Sequence, residues 1–218
     1  MIQTPTAAPL YRPTWLEIDL AALRNNVQLL RRHVGADRTL FAVVKANAYG
    51  HGATLIAPAA LAAGADRLAV AAVNEAIELR QAGIDAPILV MGYTPGWQAE
   101  ALLRYDLTAV LYDLEVARHF DAAARAQGQR IRVHVKVDTG MRRLGLFPAD
   151  TPAFLTETAQ LPGLDVEGLY THFSTADDAD KSHTQQQLAQ LEALLGTLTA
   201  QDRRPRLVHS ANLRPRSR

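Results

Sequence analysis

The chain has 218 residues, of which 23 are lysine or arginine and 22 are aspartate or glutamate, and it contains no cysteine. This near-balance of charge argues against nucleic-acid and membrane partners and favours a small-molecule ligand. The lack of cysteine excludes disulfides, thiolate metal sites and thiol nucleophiles, and we expect no bound metal.

The N-terminal part of the chain carries two local signals. Residues 1–13 contain three prolines and lack the basic start and apolar run of a signal peptide, which predicts a flexible leader and a cytoplasmic protein. Residues 15–19 alternate apolar and polar side chains, which is typical of a half-buried strand. We expect this strand to lie outside the α/β barrel that the rest of the chain predicts, as described below. Asp19 is expected to cap a helix that runs from Leu20 towards His33.

Apolar runs bounded by glycine or proline then recur, at residues 40–46, 68–73, 87–91, 107–112, 131–137, 164–173 and 207–211. Helical segments lie between them, for example 73–82, 114–127 and 180–200. The alternation predicts an α/β fold of parallel strands joined by right-handed crossovers. A closed (β/α)8 barrel of the TIM type needs eight strands, so we expect an incomplete barrel of about seven over residues 14–212, followed by a non-native-looking basic tail, 213–218.

Lys45 ends the first of these apolar runs, in a chain that has only three lysines. The carboxyl ends of barrel strands are where active sites of such barrels are built. A lysine that is desolvated there can act as a nucleophile and form a Schiff base with an aldehyde cofactor. The pattern alone leaves equally open that Lys45 is a strand-end lysine that reaches solvent.

Residues 45–52 read Lys-Ala-Asn-Ala-Tyr-Gly-His-Gly, and this segment resembles the signature of the alanine racemases. The resemblance implies a pyridoxal phosphate (PLP) cofactor that Lys45 binds as a Schiff base. It also implies that Lys45 is a catalytic base and that Tyr49 contacts the cofactor phosphate.

Residues 136–145, Lys-Val-Asp-Thr-Gly-Met-Arg-Arg-Leu-Gly, resemble a second segment of the same family. The resemblance implies that Arg143 donates a hydrogen bond to the phenolic oxygen of PLP. Lys136 stands at a position that is often carbamylated, which would turn a buried cation into an anion able to hold Arg143. Arg142 departs from the family, which commonly has glycine there, and it either crowds Arg143 or points outward.

Two further segments extend the resemblance. Residues 171–177, Thr-His-Phe-Ser-Thr-Ala-Asp, imply that His172 packs against the face of the cofactor ring. Residues 209–212, His-Ser-Ala-Asn, imply that Asn212 lies in the cofactor pocket. Leu213 departs from the family, because it stands where the family has a serine that binds the phosphate.

The resemblance covers residues 13–212 and implies the interconversion of L- and D-alanine, which supplies D-alanine for peptidoglycan. Members of the family are homodimers, and they continue with a last barrel strand and a β-domain that supplies a tyrosine base to the partner's site. We therefore expect a truncated, N-terminal fragment of an alanine racemase that is impaired in turnover. Two alternatives stay open: a non-catalytic barrel of the PLP-carrier type, and a fragment that folds too poorly to function.

Overall fold

The computed structural model describes residues 15–210, so the expected leader 1–13, the tail 213–218, Asn212 and Leu213 lie outside the described residues. Seven strands are present: β1 Phe41–Val43, β2 Arg67–Val70, β3 Ile88–Val90, β4 Thr108–Leu111, β5 Ile131–Lys136, β6 Leu164–Tyr170 and β7 Leu207–His209. The helices are α1 Leu20–Val34, α2 Lys45–Tyr49, α3 Ala53–Ala62, α4 Val73–Gln81, α5 Ala99–Arg104, α6 Leu114–Ala126, α7 Thr151–Thr158 and α8 Ser182–Ala200, with a 3-10 turn at Gly96–Gln98.

The seven strands form one parallel sheet whose spatial order follows the chain from β1 to β7. A contact between distant strands shows that the sheet curls: Arg67 on β2 donates a hydrogen bond across the interior to Glu167 on β6 at 2.8 Å. The two edges also approach each other, with the rings of Phe41 on β1 and His209 on β7 stacked at 5.0 Å between centroids. Since β1 and β7 are not ladder neighbours, the expectation of an incomplete, seven-stranded α/β barrel is confirmed.

The helices pack on the outside of the sheet through apolar side chains that the strands and helices bury together. Leu68, Ile88 and Leu169 from the strands belong to the same buried cluster as Leu102 and Phe120 from the helices. Most residues of β2 to β6 are buried, which explains the largely apolar runs of the sequence. Among the helices of residues 15–210, none combines the length and apolar character needed to cross a membrane.

The prediction of a strand at residues 15–19 is wrong. These residues precede α1 in irregular conformation, and Trp15 and Leu16 are 63% and 66% exposed. An alternating pattern makes a strand only where a neighbouring strand takes up its N–H and C=O groups, and no described strand pairs with this segment. The helix that follows is confirmed, since Asp19 Oδ1 accepts hydrogen bonds from the N–H groups of Ala21 and Ala22.

Candidate active site

Four residues singled out in the sequence lie where the strands end at their carboxyl side. Lys45 follows β1 closely, Lys136 is the last residue of β5, and His172 lies just after β6. Arg143 lies in the loop after β5. A narrow pocket is lined by Lys136, Val137, Asp138, Met141, Arg143, Leu144, Thr171 and His172. The structure therefore brings three of the predicted residues to one pocket, at the barrel end where such folds bind ligands.

Lys45 is the first residue of α2, which is a single left-handed turn and not an ordinary right-handed helix. Residues 46–49 all have positive φ, between 51° and 56°, a conformation that costs roughly 1–2 kcal/mol for each non-glycine residue. The Asn47 side chain accepts a hydrogen bond from the Ala53 N–H at 2.7 Å, which ties the turn to α3. Tyr49 ends the turn with an exposed side chain. Lys45 is thus carried by a strained backbone, a feature that clusters at functional sites.

The loop that carries Arg143 is organised by the carboxylate of Asp138. Its oxygens accept hydrogen bonds from the N–H groups of Gly140, Arg142 and Arg143 at 2.9, 3.0 and 2.8 Å. Burial acts to raise the pKa of Asp138, but these backbone donors together lower it. Asp138 is therefore ionised, and its carboxylate holds the loop while its charge also acts on Lys136.

Arg142 has a φ of 55°, in the region that glycine adopts without a steric cost. This geometry gives a physical reason for the glycine that the resemblance leads us to expect at this position. The Arg142 side chain is exposed, and it lines a second pocket together with Arg143. Of the two alternatives for Arg142, this exposure fits the outward side chain.

Lys136 is a buried amine beside another positive group. Its Nζ lies 4.4 Å from the centre of the Tyr170 ring, and the residue is only 5% exposed. Burial first, and then the Arg143 guanidinium, lower the pKa of Lys136 to about 8, while Asp138 opposes this shift. A measurable fraction of Lys136 is therefore uncharged at neutral pH.

His172 lies among three cations. Burial lowers its pKa, and the charges of Lys136, Arg143 and Lys45 lower it further, in that order. Lys45, which follows β1, therefore contributes positive charge to the same site as Lys136 and Arg143. His172 is therefore neutral at pH 7. Its aromatic ring lies at the carboxyl end of the strands, where positive charge is in excess.

A chain of polar side chains crosses the barrel interior, and the sequence reasoning missed it. Glu167 accepts a hydrogen bond from Arg67 at 2.8 Å and lies 3.4 Å from Nε2 of His134. Nδ1 of His134 lies 2.8 Å from Nε2 of His209. The hydrogen bond from His134 lowers the pKa of Glu167 far below its usual range, with Arg67 adding to this and burial opposing it. Glu167 is therefore a buried anion.

The local sequence makes room for this row of hydrogen-bonded polar side chains. The register of β5 against β6 shifts between Val133 and His134, so that Glu167 is the extra residue of a bulge. The next residue is Gly168, where a Cβ would lie only 2.7 Å from the His134 ring. The available signal was the alternation of polar residues along β5, at positions 132, 134 and 136, which points to a polar barrel interior.

Gln187 on α8 was also missed, although it joins two loops of the site. It is fully buried, and its Nε2 donates to the His172 carbonyl at 3.1 Å. Its Oε1 accepts a hydrogen bond from the Ser174 N–H at 3.0 Å, and its Nε2 also lies 3.4 Å from Thr139 Oγ1. Gln187 is the last of three consecutive glutamines in a polar helix segment, and this pattern carries no signal of such a role.

We expect the chain to lose stability between pH 6.5 and 5, because of His209. Although β7 is an edge strand, the ring of His209 is stacked between Phe41 and Tyr170. Burial and the charges of His134, Lys136 and Arg67 lower its pKa to about 3. The unfolded chain takes up a proton below its ordinary pKa of about 6.5 whereas the folded chain does not, so the free energy of unfolding falls as the pH falls.

The expected loss is about 1–2 kcal/mol at pH 5 relative to pH 7, measured by urea unfolding. His209→Phe keeps a flat ring in the stack and should make this part of the pH dependence disappear, at the cost of the hydrogen bond to His134. His33→Asn, at an exposed position on α1, is the control and should leave the pH dependence unchanged. A slope that is equal in wild type and His209→Phe would contradict the assignment.

Comparisons with known proteins identify the family. A family model described as "Alanine racemase, N-terminal domain" matches residues 18–212. A curated alanine racemase from Symbiobacterium thermophilum is 49% identical over 201 residues, which are 92% of this chain and 53% of the relative. One from Desulforamulus reducens is 47% identical over 201 residues, or 92% of this chain and 54% of the relative.

Solved structures give the same result. The structure of an alanine racemase from Clostridium difficile 630 in complex with cycloserine superposes with a TM-score of 0.89 at 37% identity, covering 93% of this chain and 56% of that one. The chain thus spans about half the length of the relatives it matches. From the match over residues 18–212 and the identity of its relatives, the chain belongs to the alanine racemase family, as the N-terminal domain of that family.

Proposed function

We propose that this chain is the cofactor-binding part of a PLP-dependent alanine racemase, in which Lys45 holds the cofactor. The observation that carries the proposal is the convergence of Lys45, Lys136, Arg143 and His172 at the carboxyl end of one sheet. Membership in the family supports the cofactor, because alanine racemases use PLP. Alanine is accordingly the proposed substrate, and a cytoplasmic homodimer is the proposed assembly.

The residues at the carboxyl end of the sheet fit the chemistry of PLP. The cofactor carries a phosphate and a phenolic oxygen, both of which favour cationic and hydrogen-bond-donating surroundings. Lys45 and Arg143 supply positive charge, and both act on His172. The oxygens of the nearby Asp138 carboxylate accept hydrogen bonds from three backbone N–H groups. The two cationic side chains, Lys45 and Arg143, therefore suit an anionic ligand.

PLP, when bound, supplies an electron sink that acidifies the α-proton of an amino acid. In our proposal Nζ of Lys45 would hold the cofactor aldehyde and, once the amino group of alanine has displaced it, would be free to take and return the α-proton. Arg143 would donate a hydrogen bond to the phenolic oxygen, and the ring of His172 would pack against the cofactor face and exclude water. Tyr49 would contact the phosphate, and Asn212, which lies outside the described residues, stays a predicted residue of the cofactor pocket.

Lys136 is proposed as a carbamylated lysine. Its pKa of about 8 leaves part of the amine uncharged at neutral pH, and an uncharged amine can add carbon dioxide to give a carbamate anion and a released proton. The product would carry a negative charge beside Arg143 in place of a repelling positive one. Because Lys136 is buried, a negative charge at this position beside Arg143 is favoured over a second positive charge.

The test of the proposal is to find where PLP attaches to the chain. The purified chain is incubated with PLP, its visible absorbance is recorded, the complex is reduced with borohydride, and the peptides are mapped by mass spectrometry. We expect one dominant adduct, on Lys45, and alanine added before reduction should diminish it. An adduct distributed over the three lysines of the chain, or found mainly on Lys181, would contradict the proposal.

The same preparation distinguishes the racemase function from the alternative of a non-catalytic PLP carrier. Chiral chromatography after incubation with L-alanine measures the formation of D-alanine. An adduct on Lys45 that alanine does not diminish, without any D-alanine, favours the carrier alternative. Formation of D-alanine that depends on added PLP supports the racemase.

A further inference from the structure

Glu75 on α4 binds the backbone next to Lys45. Its Oε1 accepts a hydrogen bond from the Ala46 N–H at 2.6 Å. Its Oε2 accepts hydrogen bonds from the N–H groups of Ala71 at 2.6 Å and Ala72 at 3.1 Å. One carboxylate therefore ties the turn after β1 to the loop after β2.

Part of this arrangement is an ordinary helix cap. A glutamate at the third position of a helix commonly accepts a hydrogen bond from the N–H of the capping residue, and the bond from Ala72 is of this kind. The bond from Ala46 is different, because Ala46 belongs to another element, 29 residues earlier in the chain. Helix capping alone gives no reason for it.

The backbone of Lys45 is fixed on both sides as a result. The N–H of Val44 donates to the carbonyl of Ala69 on β2 at 2.8 Å, and the N–H of Ala46 donates to Glu75. Ala46 is also the first of the consecutive residues with positive φ, a conformation that alanine adopts only when its surroundings impose it. The contact with Glu75 thus holds the strained turn at the residue that follows the lysine.

We propose that Glu75 is a positioning residue that fixes the direction in which Lys45 leaves the sheet, and so keeps its amine within reach of the PLP aldehyde. This inference rests on the proposed function of Lys45. A carboxylate suits the task because both of its oxygens accept hydrogen bonds. A glutamine would turn one of these acceptors into an NH₂ group that faces another N–H donor.

The test compares Glu75→Gln with Glu78→Gln, an exposed glutamate on the same helix. In the chain without cofactor, we expect hydrogen exchange at the Ala46 amide to become about 10- to 100-fold faster in Glu75→Gln, as for a lost hydrogen bond to a charged group. Amides within β3 and β4 should keep their wild-type rates. Glu78→Gln should match wild type throughout.

The second measurement follows the lysine itself. After incubation with PLP and borohydride reduction, we expect the adduct on Lys45, relative to that on Lys181 in the same sample, to fall by about the factor by which exchange at Ala46 rises. The visible absorbance of the bound cofactor should fall in parallel. If Glu75→Gln does not fold, Glu75→Asp, whose carboxylate is one carbon shorter, carries the same test with a smaller expected change.

Each outcome has a distinct meaning. Adduct formation on Lys45 that is equal in wild type and Glu75→Gln overturns the positioning role and leaves the proposed function intact. Faster exchange that extends equally to β3 and β4 also overturns it, because the role is then one of general stability. Absence of a Lys45 adduct in wild type overturns the proposed function and the positioning role with it.

Discussion

Replacing Lys45 with alanine is expected to abolish both the visible absorbance of bound PLP and the borohydride-stable adduct. The other lysines offer poor substitutes, because Lys136 is buried over the Tyr170 ring and Lys181 donates its Nζ hydrogen bond to the Ala176 carbonyl. Exchange of the α-proton of D-alanine, followed by proton NMR in deuterated buffer with excess PLP, should fall by about 10²–10⁴-fold, as for loss of a general base.

Two control variants separate the chemistry of Lys45 from its charge. Lys45→Arg keeps the positive charge but offers no amine to an aldehyde, so we expect it to lose the adduct as completely as Lys45→Ala does. Lys181→Ala removes a lysine from an exposed position and should leave absorbance and adduct unchanged. Persistent absorbance in Lys45→Ala, with the adduct moved to Lys136, would show that the cofactor lysine has been assigned wrongly.

Replacing Glu167 with leucine is expected to lower the free energy of unfolding by about 3–5 kcal/mol, the usual cost of removing one member of a buried ion pair. The Glu167 side chain is only 4% exposed, and Arg67 pairs with it at 2.8 Å. Its loss leaves Arg67 and the buried ring of His134 without their anionic partner. Urea unfolding at neutral pH measures the effect.

Asp165→Leu provides the matched control on the same strand. Asp165 also pairs with an arginine, Arg206, at 3.0 Å, but its side chain is 26% exposed and that of Arg206 is 61% exposed. An ion pair of this kind contributes about 0–1 kcal/mol. The double variant Arg67→Leu/Glu167→Leu should recover part of the loss, because both charges are then removed. Equal destabilisation by Glu167→Leu and Asp165→Leu would contradict the buried ion pair.

The sequence by itself determined the order and type of nearly all elements of the fold. Six of the seven strands lie within an apolar run that predicted a strand, and β2 begins one residue before its run, while α1, α4, α6 and α8 lie where helices were predicted. These features are local: a strand that is buried on both faces is largely apolar, and Asp19 caps α1 through its own neighbours. The segments that carry Lys45, Lys136, Arg143 and His172 were likewise readable, because each is a contiguous motif that follows a strand.

Only the tertiary structure decided the features that depend on distant partners. Residues 15–19 have the pattern of a strand but no described neighbour to pair with, and periodicity cannot supply one. The turn after Lys45 has positive φ at alanine and tyrosine, which no local propensity predicts, and Glu75 holds it from another helix. Glu167 reaches Arg67 from 100 residues away, so the polar chain across the interior forms only when the sheet curls and burial makes each unpaired charge costly.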